Sequence, residues 1–229
     1  MRFSKWHAHG NVYLLTDERG LTPARVRDEV GDADGIVEVV SSGHGEAEVV
    51  IWNPDGSTAE LSGNGTRIAA RWLAGRTGAT EVRIRVGERE IVARMGNGDV
   101  EQELGEVRVS EPERIAGLEV IRVDVGNPHA VVIGDPDDLP RIGPVLETNP
   151  RFPDRTNVQV ARVDGPGEVT ARVWERGVGE TRSSGTSAVA VAAATHGDGD
   201  VLVHFPGGDL RVRLEGGCAR LSGPAEQIT

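Results

Sequence analysis

Two stretches of this chain repeat one piece of local design. Residues 60–70 read ELSGNGTRIAA and residues 180–190 read ETRSSGTSAVA: an extended run, a serine at a bend of small residues, then a helix-forming run. Ser62 and Ser184 stand about half of the 229-residue chain apart. A chain built this way is expected to fold as two similar lobes, each with strands, a corner, a core helix and further strands. The break in patterning over 111–117 puts the division at residues 1–112 and 113–229, with the last strand free to pack on the N-terminal lobe.

The rest of the chain is patterned for sheet. Residues 81–86, 88–93, 107–109, 118–125, 157–163, 169–174, 201–205 and 210–214 alternate apolar and polar side chains with period two, as half-buried strands do. GNGD, DGPG and PGGD supply hairpin turns, so antiparallel pairing is expected to dominate. Three helices are predicted: 22–30, with Thr22 as cap and Pro23 at the first helical position; 65–74, ending near Gly75 and Gly78; and 186–196, ending before Gly197. The third, TSAVAVAAATH, has no polar side, which calls for sheet around it. The class is α+β, with a β-rich barrel-like wrap around a central helix in each lobe.

Composition narrows the chemistry. A net charge of −11 disfavours nucleic acid and anionic membrane as partners and leaves a small molecule as the fitting ligand. No apolar run approaches the roughly 20 residues of a membrane span. The N-terminus MRFSKWHAHGN lacks the apolar stretch of a signal peptide, so a cytoplasmic protein is expected. Cys218, the single cysteine, can form no internal disulfide and reads as a bland thiol. Lys5 is the only lysine, a poor basis for a pyridoxal-phosphate Schiff base, and neither a clustered Cys/His pattern nor a phosphate loop is present. Catalysis without metal or cofactor, on side chains and backbone, is the expectation.

At a helix start the first amide N–H groups lack partners within the helix, and the macrodipole adds partial positive charge. Two such ends meeting at one cleft would bind a carboxylate. The competing reading is ordinary capping by Ser62 and Ser184. Asn11, Asn53, Asn127, His129, Asn157 and the pair Glu175-Arg176 all fall at strand ends or turns. Turn chemistry accounts for the asparagines taken singly, and a solvated pair for Glu175-Arg176. Glu175 also lies in phase with Val169, Ala171 and Val173, where a buried carboxylate needs a partner or a substrate ammonium.

The ordered set FSKWHAHGN, DADG, IWNPDGSTAELSGNGTR, GNPHAVV, FPDRTNVQ, VWERGVGETRSSGTSA, FPGG and SGPAE resembles the diaminopimelate epimerase family across essentially the whole chain. The resemblance implies two similar lobes closing over one amino-acid centre without a cofactor. In that family one cysteine removes the α-proton while a second delivers one to the opposite side. By motif those positions are Ser62 and Ser184 here. Gly63-Asn64 and Gly185-Thr186 match the segments that hold the reacting carboxylate, and their amides would stabilise the charge that develops. Asn11, Asn53, Asn127, Asn157 and Arg176 match positions that grip substrate, while His129 and Glu175 match polar groups beside the reacting centre. Family members commonly pair as homodimers, so a dimer is implied as well.

The serines touch the chemistry directly. A thiol titrates near 8.5 and lower beside a helix start, whereas a serine hydroxyl is far too weak an acid to serve unaided as a base at neutral pH. A neighbouring base can rescue it, and the residues by motif offer His129 and Glu175. Three readings stay open: a deliberate Cys-to-Ser exchange that keeps binding, a natural isomerase or racemase of the same fold with altered chemistry, and an amino-acid-binding protein without catalysis.

Overall fold

The computed structural model describes all residues except Glu60, Asn97 and Thr229. The chain divides into two compact units, residues 1–103 with 222–229, and residues 104–221.

In the first unit β1 (Ser4–Ala8) and β2 (Asn11–Thr16) form a hairpin, α1 (Pro23–Glu29) follows, and β3 (Gly35–Ser42) lies parallel to β2. β4 (Glu46–Trp52) returns antiparallel to β3. After the Ser62 corner comes α2 (Gly63–Thr77), then β5 (Glu81–Val86) parallel to β4, β6 (Arg89–Met95), and β7 (Asp99–Glu106), which pairs with β6. The closing strand Glu226–Ile228 pairs with β1. Period-two alternation sorts the side chains onto two faces. Tyr13, Leu15, Val37, Val39 and Ile51 share a core with Ile68, Ala69 and Leu73 of α2. Val12, Leu14 and Ile36 lie in the cluster around Val26 and Val30, on and just after α1. α2 is therefore the inner helix, buried from Gly63 through Ala70, and Gly78 ends it in the left-handed conformation at φ 72°.

The second unit repeats the order. β8 (Arg108–Val109) and β9 (Glu113–Ile115) edge β10 (Leu118–Asp124), which forms a hairpin with β11 (Pro128–Ile133). A 3-10 turn at Pro136–Asp138 and α3 (Leu139–Glu147) lead to β12 (Asn157–Gly165), parallel to β11, and to β13 (Glu168–Glu175), antiparallel to β12. The short β14 (Gly179–Thr181) precedes the Ser184 corner and α4 (Gly185–Thr195). β15 (Gly199–Phe205) is parallel to β13 and pairs with β16 (Gly208–Glu215); β17 (Cys218–Pro224) follows. Ala130, Val132, Val158 and Val160 pack with Leu139, Ile142 and Leu146 of α3. The alternate residues His129 and Gln159 face the other way, where Gln159 meets Ser187 of α4.

Each unit thus reads hairpin, outer helix, parallel return, antiparallel partner, corner, inner helix, parallel strand, hairpin partner. α4 is buried from Gly185 to Ala192 and touches strands β10, β11, β12, β13, β15 and β16, the wrap its all-apolar composition required. The expectation of three helices needs correcting, since four α-helices are formed among the described residues. α3 carries Pro140 in its first turn, where a missing N–H is harmless, and Pro144 within, which reads as a breaker in sequence. Burial of Leu139, Ile142 and Leu146 against the sheet outweighs it.

Candidate active site

The two serine corners share a position and differ in wiring. Ser62 is the N-cap of α2; its Oγ accepts the Gly65 amide at 3.1 Å, and the Tyr13 hydroxyl lies 3.2 Å from the same oxygen. Ser184 is the N-cap of α4 and is 6% exposed, yet its side chain makes no capping hydrogen bond. Gly63, Asn64, Gly185 and Thr186, the residues that open the two inner helices, are all buried.

Around Ser62 the fold assembles groups that the motifs did not single out. Tyr13 comes from β2, where alternation puts Asn11, Tyr13 and Leu15 on the buried face. Its β3 partner is Gly35, and a Cβ there would fall 2.7 Å from Tyr13 Cε1 and 2.6 Å from the Trp52 carbonyl, so the ring lies on bare backbone. Arg67, one turn into α2, is wholly buried. Its Nη2 donates to Asn64 Oδ1 at 2.5 Å and its Nε to the Pro224 carbonyl at 3.5 Å, while Nη1 has no hydrogen-bond partner among the described residues. Burial pushes this guanidinium down to about 10, against the pull of charge on Tyr13 and Asp99. Asn11 is buried on the same strand. Asn53 is engaged in the turn after β4, its Nδ2 donating to Ser57 Oγ at 2.9 Å.

In the second unit a hydrogen-bond network ties the sheet to the first turn of α4, with Gln159 Oε1 left without a partner among the described residues. The Gln159 amide nitrogen donates to His129 Nδ1 at 3.0 Å and to Ser187 Oγ at 2.9 Å. The imidazole proton therefore sits on Nε2, facing Asn127 Oδ1 at 2.9 Å, and Asn127 Nδ2 reaches Thr186 Oγ1 at 3.4 Å. Burial, helped by the nearby Arg176 charge and opposed by the Gln159 bond, takes His129 down to about 3. This histidine is a neutral, doubly hydrogen-bonded group, and neither bond goes to Ser184. Asn157 bridges Pro128 O and the Arg176 amide, both at 3.0 Å, and Arg176 Nη1 donates to the Asp154 carbonyl at 3.3 Å. Glu175 is half-buried and accepts the Thr181 hydroxyl at 2.5 Å, the kind of partner its phase required.

The structure so joins Asn127, His129 and Thr186 in one network, Asn157 and Arg176 in another, and Ser62 to Tyr13. Sequence reasoning missed Tyr13, Arg67, Gln159 and Ser187. A signal for Tyr13 was present: Gly10-Asn11-Val12-Tyr13 and Gly126-Asn127-Pro128-His129 occupy the same turn of the two repeats. Among the described residues no three His, Cys, Asp or Glu side chains converge as a metal site. A polar groove of about 260 Å³ lined by Ser41, His44, Glu46, Arg83 and Glu90 contains none of the predicted site residues. No helix among the described residues is long and apolar enough to cross a membrane.

A family model described as diaminopimelate epimerase matches residues 121–221. The chain is 36% identical to the diaminopimelate epimerase of Desulforudis audaxviator over 272 aligned positions, covering 100% of this chain and 97% of the relative. It is 39% identical to that of Thermobifida fusca over 261 positions, covering 98% and 95%. Among solved structures, a phenazine biosynthesis protein of Bacillus anthracis superposes with a TM-score of 0.75 at 15% identity, covering 99% of this chain and 96% of that one. A probable proline racemase of Agrobacterium radiobacter does so with 0.74 at 14%, covering 99% and 90%. At these identities the two structures share the fold with this chain.

Proposed function

The chain belongs to the diaminopimelate epimerase family, and from that premise we propose that it is a cofactor-independent amino-acid epimerase interconverting LL- and meso-diaminopimelate by two-base proton transfer at the α-carbon. The observation that carries this reading is the presence, in a chain that spans nearly the whole length of its relatives, of an inner helix opening at a serine corner in each repeat. The α-hydrogen of an amino acid is a very weak acid, so removing it demands that the charge spreading into the carboxylate be stabilised as it forms. Amides at a helix start, aligned with its macrodipole, do this without reorganising. Gly63-Asn64 and Gly185-Thr186 supply them, and Ser62 and Ser184 are the proton-transfer posts.

Asn11, Asn53, Asn127, Asn157 and Arg176 are the substrate-binding set, with His129 and Glu175 beside the reacting centre. His129 acts there as a neutral orienting group, because burial leaves it too weakly basic to draw a proton from serine. The protein works in this reading as a homodimer in the cytoplasm. Heavy-water exchange of the α-proton of diaminopimelate tests the proposal: slow exchange is expected from this chain and much faster exchange from the Ser62→Cys, Ser184→Cys double variant. A double variant that neither binds diaminopimelate nor exchanges its proton would sink it.

The two hydroxyls favour one further reading, an amino-acid-binding protein without catalysis. It predicts saturable binding with no exchange in either form.

A further inference from the structure

A serine hydroxyl has one hydrogen and two lone pairs to place. At Ser62 one lone pair takes the Gly65 amide at 3.1 Å, and the hydrogen is available to the Tyr13 oxygen at 3.2 Å. The second lone pair stays at the half-buried corner, where the first turn of α2 begins. We propose that Tyr13 is the base behind Ser62, taking up the serine proton as Oγ takes the α-proton of the substrate.

The step rests on the epimerase reading and balances within it. The Cα–H bond breaks and a new Oγ–H bond forms; the old Oγ–H bond breaks and a phenol O–H forms on Tyr13. The electron pair stays on the substrate and spreads into its carboxylate. Serine never exists as a free alkoxide, which removes the obstacle that its weak acidity raises. The relay needs Tyr13 to enter as phenolate, so a local positive charge without a paired anion is required. Arg67 meets that need: it is fully buried, Nη1 has no hydrogen-bond partner among the described residues, and the acceptors of Nη2 and Nε are neutral oxygens of Asn64 and Pro224. The cation and the Tyr13 charge favour one another.

Other charged groups in the neighbourhood act more weakly or in the opposite sense. Asp99 draws on Arg67. Asp34 accepts the Val12 amide at 2.7 Å beside Tyr13; burial pushes its carboxyl up, and its anionic form acts against a phenolate. β1 sets Trp6 opposite Tyr13 and β3 sets Gly35, neither of them charged.

Tyr13 is the only tyrosine in the chain, so the ultraviolet signal of tyrosinate reports on it alone. In the intact protein it is expected to titrate below the ordinary value of about 10, and to move upward in Arg67→Gln. Arg67→Lys, which keeps the charge, is the second variant should the glutamine form fail to fold. Exchange of the diaminopimelate α-proton should follow the same titration. Tyr13→Phe should slow it by roughly a hundredfold and abolish that pH dependence. In a Ser62→Cys background the same change should matter far less, because a thiolate is its own base.

A phenol that titrates at its ordinary value and ignores Arg67, or a Tyr13→Phe protein that exchanges as fast as the parent, overturns the proposal. So does a parent with no detectable exchange beside an active double cysteine variant. These outcomes leave the epimerase reading intact; silence of the double variant removes both.

Discussion

The two repeats set an aromatic residue at the same place, two positions after an asparagine at the start of the second hairpin strand, and use it in opposite ways. Tyr13 points its hydroxyl at the corner serine of its own unit. His129 turns both ring nitrogens into the Gln159 and Asn127 network and makes no bond to Ser184. Gly35 lies under the tyrosine ring, whereas the residue paired with His129 is Asn157, which stitches β12 to the strand beside it. One duplicated frame thus holds a corner whose serine meets a phenol and a corner whose histidine is bonded to its own neighbours instead. What separates them is the partner strand together with the cap, since Ser62 accepts the Gly65 amide and Ser184 makes no capping bond.

That contrast can be broken experimentally. The largest effect is expected from restoring sulfur one corner at a time: Ser184→Cys should raise α-proton exchange roughly a hundredfold or more, and Ser62→Cys by less, because Ser62 already has a partner for its proton. Following LL- and meso-diaminopimelate separately reads the two corners apart. Next in size is Gly35→Ala, whose methyl would meet the Trp52 carbonyl and the Tyr13 ring at 2.6 and 2.7 Å. A loss of about 1–3 kcal/mol in urea unfolding is expected, together with a displaced tyrosinate titration.

The histidines sharpen the comparison through pH. His129 is held neutral down to about 3 when folded but protonates near 6.5 when unfolded. Between those values the unfolded chain binds the extra proton, so stability falls as the pH drops through the window, by up to about 1.4 kcal/mol per pH unit. His129→Gln should flatten that limb of the unfolding curve. His204 is the reverse case. Its ring nitrogens meet Asp209 and Glu168 at 2.8 and 2.9 Å, and these bonds raise it above 6.5. Its contribution is complete below 6.5 and disappears as the pH rises through the raised folded value, so the effect of His204→Gln should fade in alkali. The smallest difference lies in the caps. Ser62→Ala removes a made hydrogen bond and should lose about 1 kcal/mol, while Ser184→Ala, with no cap bond to lose, should change stability by only a few tenths.

Much of this architecture is legible in the sequence because it rests on local rules. Period two marks β5, β6, β8, β10, β12, β13, β15 and β16 but not β1 to β4, β7, β11 or β17; small residues mark the corners, and the apolar run at 186–196 announces a helix wrapped in sheet. α3 was hidden by its prolines, since its stability comes from packing against Ala130, Val132 and Val160 and not from propensity. The motifs pointed to the serines, asparagines and His129. They are silent on hydrogen-bond direction: whether His129 faces a serine or a glutamine depends on β11 lying parallel to β12 in one register, a long-range fact. Tyr13 and Arg67 escaped for the same reason, because their significance arises only where β2 passes the start of α2.

The bare backbone at Gly35 has a consequence for timing. A ring held this close to a strand that has no side chain at that point has little freedom left, so the ordering of that phenol is complete once the chain has folded. Preorganisation of this kind lowers no barrier by contact with substrate. It means that the phenol of the first corner needs no further ordering when a ligand arrives, whereas any group that serves the second corner must be brought to Ser184 by other means.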